Sequence, residues 1–282
     1  MRIICADTMG MCFGVRDALK VIARLERPEA VTIHGELVHN EIVLEQLQLR
    51  GFRRVEEEAR RALPETPTVL ITAHGISRAE RSRLERAGKR LLDTTCPLVR
   101  RAHAAAQQLR RDGRHVLLIG RRGHVEVQGI VEDLGSFDVI ESPAEVKSYP
   151  FARLGVMCQT TTPARLVEAV REAVARRNPF ADVLFLDTVC QPTREHQEAL
   201  DRLLGQVQAV VVVGGRNSNN TRELVTRCRE RGIPAHHVQT AGDLRRDWFA
   251  GIDTVGVTAG TSTLDETIAE VKQALARIES VV

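Results

Sequence analysis

The sequence predicts an α/β protein built on mainly parallel sheets. Short β-branched runs alternate with longer segments of helical period along the whole chain. Most of these runs are followed by Gly or polar residues before the next helical segment, and no low-complexity tract or long Gly/Ser linker interrupts the series. Strand, loop and helix in repetition is the pattern of βαβ units. At about 150 residues per domain, the 282 residues allow roughly two domains, and equally one large or three small ones.

Taken in order, strands are expected at Arg2–Cys5, Val31–His34, Val69–Thr72, Val116–Ile119, Leu154–Met157, Val183–Leu186, Val210–Val213 and Thr254–Thr258, mostly apolar runs of strand length. Helices are expected at Val15–Leu25, Val99–Arg111, Arg194–Leu204, Thr221–Arg231 and Leu264–Ile278, where apolar residues recur at helical spacing. Thr162-Pro163 reads as a helix cap followed by a first-turn proline. An internal echo divides the chain: Leu92-Asp93-Thr94-Thr95-Cys96-Pro97 resembles Leu186-Asp187-Thr188-Val189-Cys190-Gln191-Pro192, and Cys12 has a similar place between a strand and a helix. These cysteines stand 84 and 94 residues apart, which fits three α/β units with one thiol at each strand-to-helix junction. The expected units are 1–95 with Cys12, 96–189 with Cys96 and Glu126, and 190–282 with Cys190.

Composition narrows the function. Lys+Arg 40 against Asp+Glu 37 leaves +3, too balanced for nucleic-acid binding by charge alone. Aromatic residues at 3% supply no surface for stacking bases. The N-terminus lacks the apolar core of a signal peptide, and the longest apolar stretches, such as Ala209–Val213, fall far short of a bilayer span. A cytoplasmic protein without nucleic-acid or membrane partners is expected. Six cysteines in no close-set framework are too few for a disulfide scaffold, and without a CxxC pair they make no zinc site of local spacing.

Thiols at helix N-termini on the carboxyl edge of a sheet are favoured as thiolates. Three of them converging would hold a metal centre with three protein ligands and one open position, although any lone cysteine also reads as a small buried hydrophobe. That second reading suits Cys5 and Cys228, and leaves Cys158 open. In Gly123-His124-Val125-Glu126, alternate residues of an extended segment point the same way, so His124 and Glu126 are able to face one pocket, with Glu126 as a general acid; a solvent-facing loop is the plain alternative. Gly214-Gly215-Arg216-Asn217-Ser218-Asn219-Asn220-Thr221 and Ala259-Gly260-Thr261-Ser262 join strands to helices and gather amides, hydroxyls and carboxamides suited to an anion. His39-Asn40 and Ala73-His74-Gly75 add imidazoles, and Thr160 is free to point into a site. Neither glycine loop is a Walker A or dinucleotide fingerprint.

Together, Met11-Cys12-Phe13-Gly14-Val15, Val38-His39-Asn40, Ala73-His74-Gly75, Asp93-Thr94-Thr95-Cys96-Pro97, Gly123-His124-Val125-Glu126-Val127, Gln159-Thr160-Thr161, Asn217-Ser218-Asn219-Asn220 and Gly256-Val257-Thr258-Ala259-Gly260-Thr261-Ser262 resemble the 4-hydroxy-3-methylbut-2-enyl diphosphate reductase (IspH/LytB) family over nearly the whole chain. The resemblance implies a trefoil of three pseudo-equivalent α/β domains around a central [4Fe-4S] cluster, with Cys12, Cys96 and Cys190 as ligands and one open iron. It implies reductive dehydroxylation of an allylic diphosphate to isopentenyl and dimethylallyl diphosphates, the last step of the non-mevalonate isoprenoid pathway. His39, His74, His124, Ser218, Asn220 and Ser262 match residues that bind the diphosphate, with Asn217 and Asn219 in the same loop. Glu126 matches the proton-delivering acid, with His124 and Thr160 beside it.

The family's G-H-P-E-V-E-G segment has Val125 and Gln128 in place of proline and the second glutamate, which removes a rigid residue from the loop that aims Glu126. Met11 stands where Phe is common, and Thr94 where Ala is. Other readings are a divergent member acting on another small substrate, a quinolinate-synthase-like lyase, a non-catalytic iron–sulfur sensor or metal-binding protein, and an enzyme with a lone activated thiol. The absence of a flavin or nicotinamide motif points to an external donor, reduced ferredoxin or flavodoxin. Between Pro97 and Val125 stand seven arginines (Arg100, Arg101, Arg110, Arg111, Arg114, Arg121 and Arg122) and one acid, Asp112, a face suited to an acidic donor.

Overall fold

The computed structural model describes residues 1–55 and 59–279. The chain divides into two compact units: Met1–Arg16 with Val38–Gln46 and Gln191–Val282, and Asp17–Leu37 with Leu47–Cys190.

The first unit holds a four-stranded parallel sheet of β1 (Arg2–Cys5), β12 (Thr254–Ala259), β10 (Ala209–Val213) and β11 (Ala235–Val238), in that spatial order. Alternation along β10 shows why its residues are apolar throughout. Val210 and Val212 pack with Leu200, Leu203 and Leu224 on one face, and Val211 and Val213 pack with Val255, Val257 and Val271 on the other. Each such buried valine contributes roughly 1.5–3 kcal/mol. The helices here include α7 (Gln191–Leu204), α8 (Asn219–Glu230) and α9 (Asp265–Glu279).

The second unit holds two more parallel sheets. One is β3 (Arg53–Val55), β2 (Val31–His34), β4 (Thr68–Ile71) and β5 (Arg90–Asp93); the other is β7 (Phe137–Ile140), β6 (His115–Ile119), β8 (Arg153–Cys158) and β9 (Asp182–Leu186). In β6, Leu117 and Ile119 face one core while Val116 and Leu118 face another. Helices α3 (Arg78–Arg86), α4 (Pro97–Arg111), α5 (Val125–Val131) and α6 (Ala164–Arg177) belong to this unit. Two helices, α1 (Phe13–Ala23) and α2 (Glu41–Leu49), carry the chain from one unit to the other.

The three sheets share one topology. In each, the chain leaves an inner strand for one edge, returns to the other inner strand, and then occupies or meets the far edge, giving the orders β3-β2-β4-β5, β7-β6-β8-β9 and, read backwards, β11-β10-β12-β1. Strands β5, β9 and β1 are therefore equivalent. Each precedes one cysteine of the internal echo, and α4, α7 and α1 begin on the residue after Cys96, Cys190 and Cys12. The N-terminal strand β1 completes the sheet formed by β10–β12, so that sheet draws on segments far apart in the sequence. All eight strands expected from the sequence are present, and the four it did not mark, β3, β5, β7 and β11, are edge strands with partly exposed residues. No helix among the described residues is long and apolar enough to cross a membrane.

Candidate active site

In a doubly wound sheet, ligands meet the carboxyl edge where successive connections diverge from neighbouring strands. Every sheet here has such a point between its two inner strands.

Between β6 and β8 it holds the carboxyl group. Glu126 lies in the first turn of α5 and is 2% exposed. Thr160, in the loop after β8, donates its amide to Glu126 Oε1 at 2.7 Å, and its hydroxyl lies 2.8 Å from Oε2. The carbonyl of Thr160 accepts the Cys190 amide at 2.8 Å, so acid and thiol share one loop. His124 caps α5, its Nδ1 accepting the Glu126 amide at 3.1 Å. An accepting Nδ1 places the ring proton on Nε2. The rings of His124 and His74 meet edge to face, 5.6 Å between centroids. With this cap and the Thr160 clasp, Val125 starts the helix without the family's proline.

The other anion-binding candidates lie in the first unit. Ser218 caps α8 by accepting the Thr221 amide at 3.2 Å. Asn220 is 2% exposed, and neither atom of its carboxamide has a hydrogen-bond partner. Leaving such groups buried and unpaired costs about 1–3 kcal/mol each, which a polar ligand relieves. The Ser262 hydroxyl reaches the His39 carbonyl at 3.4 Å, while Asn40 Nδ2 donates to the Ser262 carbonyl at 2.8 Å. Gly215 makes this approach possible: a Cβ there would stand 2.3 Å from the His39 carbonyl. Asn219 is half-buried and Asn217 exposed.

The echo segments perform the same local task twice. Asp93 Oδ1 accepts the Thr95 amide and Asp187 Oδ1 the Val189 amide, at 2.9 and 3.1 Å. The Thr94 hydroxyl donates to the Ile71 carbonyl at the end of β4, and the Thr188 hydroxyl to the Cys158 carbonyl at the end of β8. The amides of Cys12, Cys96 and Cys190 donate to Thr261, Ala73 and Thr160 carbonyls, each just beyond a neighbouring inner strand. None of the three is in a disulfide, and all are partly exposed. Burial pushes the Cys96 thiol up, the amides of Leu98 and Val99 pull it down, and Glu126 opposes that pull. Cys228 is buried and its thiol is pushed up to about 12 by burial, as suits a packing residue. Cys158 is fully buried at the end of β8 and joins a hydrophobic core.

Thiols at helix starts, each with an anchored backbone, are a donor set that fits an iron–sulfur cluster. Cys12 belongs to one unit and Cys96 and Cys190 to the other. Within neither unit do three or more His, Cys, Asp or Glu among the described residues form a metal-holding group.

The sequence marked Asn40 and Thr221 only as members of their motifs, without the supporting roles the structure gives them. Asn40 pins Ser262 and caps α2 through Oδ1, which accepts the Ile42 amide at 3.1 Å. The buried Thr221 hydroxyl, against which Gly214 and Gly260 are pressed, has no partner; its place three residues after Ser218 was the available signal. The basic run is also less free than its count suggests. Arg100 pairs with Asp93, Arg114 with Asp182, and Arg122 with Glu141 and Glu145, while Arg101 donates to the Asp187 carbonyl. Arg110, Arg111 and Arg121 are left exposed.

Fold and site together define a three-sheet α/β protein with a buried acid at one switch point, polar anion-type groups at another, and an anchored thiol after each equivalent edge strand. Residues 3–276 match the family described as LytB protein, and the chain belongs to that family. It is 35% identical over 269 residues to the 4-hydroxy-3-methylbut-2-enyl diphosphate reductase of Anaeromyxobacter sp., covering 94% of this chain and 93% of that one. With the reductase of the same name from Dehalococcoides mccartyi it shares 34% identity over 290 residues, covering 99% of both. A solved structure of (E)-4-hydroxy-3-methyl-but-2-enyl diphosphate reductase, described as the terminal enzyme of the non-mevalonate pathway, superposes with a TM-score of 0.69 at 31% identity, over 98% of this chain and 100% of that one. The Plasmodium falciparum reductase structure, at 22% identity, shares the fold with a TM-score of 0.88, over 98% of this chain and 88% of that one.

Proposed function

We propose that this protein reduces 4-hydroxy-3-methylbut-2-enyl diphosphate to isopentenyl and dimethylallyl diphosphates, the terminal step of the non-mevalonate pathway, in the cytoplasm. The observation that carries the reading is the Glu126–Thr160 clasp, whose loop also receives the Cys190 amide. Cys12, Cys96 and Cys190 would hold a [4Fe-4S] cluster with one iron free of thiolate. When bound, the cluster supplies single electrons and a Lewis-acidic iron.

The reaction breaks one C–O bond, forms one C–H bond, and consumes two electrons and two protons. Glu126 holds the proton that leaves with the hydroxyl oxygen as water. The Thr160 hydroxyl donates to the carboxylate or accepts from the carboxylic acid, and so serves both states of Glu126. The second proton goes to either end of the allylic unit, which yields two products. The residues assigned to the diphosphate are His39, His74, His124, Asn217, Ser218, Asn219, Asn220 and Ser262. That remote binding energy orients the reacting end. The electrons come from reduced ferredoxin or flavodoxin. Anaerobic incubation of reduced protein with the substrate tests the reading: both products should appear, and an iron-loaded protein that leaves the substrate unchanged overturns it.

A further inference from the structure

We propose that His196 positions the loop carrying Cys12, acting as a clamp between that loop and the start of α7; the inference rests on the reading of Cys12 as a cluster ligand. His196 is 3% exposed. Its Nδ1 stands 2.7 Å from the Pro192 carbonyl oxygen and its Nε2 2.9 Å from the Gly10 carbonyl oxygen. Both partners are carbonyl oxygens, which accept an N–H of the ring. Pro192 lies one turn earlier in the same helix, so Nδ1 fixes the ring on α7 and Nε2 reaches the loop.

The rest of the loop is held from other directions. Gly10 has φ +81°, and a Cβ there would lie 2.7 Å from Ile268 Cδ1, so the position requires glycine. The Gly10 amide donates to the Ala259 carbonyl at 3.2 Å and the Cys12 amide to the Thr261 carbonyl at 2.9 Å. Arg16 donates from Nε to the Met11 carbonyl at 3.1 Å and from its amide to the Cys12 carbonyl at 3.0 Å, and is itself fixed by Asp265. Every carbonyl from Gly10 to Cys12 thus has a donor. His196 supplies the one that comes from α7, the helix beginning directly after Cys190.

The test compares full-length wild type, His196→Phe, which keeps a ring without donors, and His196→Arg, which offers several donors and no acceptor. Amide hydrogen exchange, iron per chain and the electron paramagnetic resonance spectrum of the reduced protein are measured on all three. Exchange across Gly10–Cys12 should accelerate about tenfold or more in His196→Phe while β10 and β12 keep their protection. His196→Arg should restore slow exchange and the wild-type spectrum. Unchanged loop exchange in His196→Phe overturns the clamp. An iron-free wild type with the exchange result intact overturns the cluster reading and leaves the clamp standing.

Discussion

Replacing Thr160 with valine removes one hydroxyl from beside a buried carboxyl and leaves the shape nearly unchanged. The hydroxyl lies 2.8 Å from Glu126 Oε2, and both residues are at most 4% exposed. The Thr160 amide still donates to Oε1, 2.7 Å away. A hydrogen bond to a charged group contributes about 1.5–3 kcal/mol. If that interaction supports Glu126 as the proton source, turnover should fall about 10- to 150-fold, at about 1.36 kcal/mol per factor of ten. Thr160→Ser keeps the oxygen and should stay within about threefold of wild type, a difference of under 1 kcal/mol. The assay is anaerobic turnover at saturating substrate with a chemical one-electron reductant, which removes the protein donor from the rate. Iron per chain is measured alongside, so that a lost cluster is not mistaken for a lost proton path. A Thr160→Val protein with full iron and turnover within about threefold of wild type would refute the reasoning.

Gly215→Ala forces a Cβ to within 2.3 Å of the His39 carbonyl. It should raise KM for the diphosphate substrate at least severalfold, with a stability loss of about 1–3 kcal/mol in denaturant titration. Stability should also depend on His34, whose imidazole is lowered from 6.5 to about 4 by burial and by Arg60, against the pull of Glu80. Between those values the unfolded chain binds a proton that the native state refuses. Stability is therefore full above about pH 6.5 and falls as pH drops toward 4, by on the order of 3 kcal/mol, and denaturation midpoints for wild type and His34→Gln would show the slope in wild type only. Glu80 is held low by Arg83 and His34 against the opposing effect of burial, and adds a loss of the same sign further down the pH scale. Charge reversal at Arg110 and Arg111 should slow turnover driven by ferredoxin or flavodoxin and flatten its salt dependence, while turnover with a small chemical reductant stays unchanged.

The inner strands were legible because residues buried on both faces must be apolar throughout, as in Val210–Val213. The edge strands Arg53–Val55 and Ala235–Val238 were not, since an edge tolerates Arg and His. The echo around Cys96 and Cys190 was readable because the fold reuses its Asp and Thr for the same two hydrogen bonds. The pairing of β1 with β12 links residues about 250 positions apart, and no local pattern carries that information. Glu126 and Thr160 were each visible as motif residues, but their contact depends on the parallel register of Ile119 with Cys158. His196 gave no signal, because a lone histidine in a helix carries no mark of the carbonyl it will meet.

The most direct test of the central claim is iron and sulfide per chain after anaerobic purification of wild type and six single Cys→Ser variants. Wild type should contain both elements, and Cys12→Ser, Cys96→Ser and Cys190→Ser should each lose most of them. Cys5→Ser, Cys158→Ser and Cys228→Ser should retain iron in whatever fraction folds. A colourless wild type, or full iron in any of the three junction variants, would contradict the account.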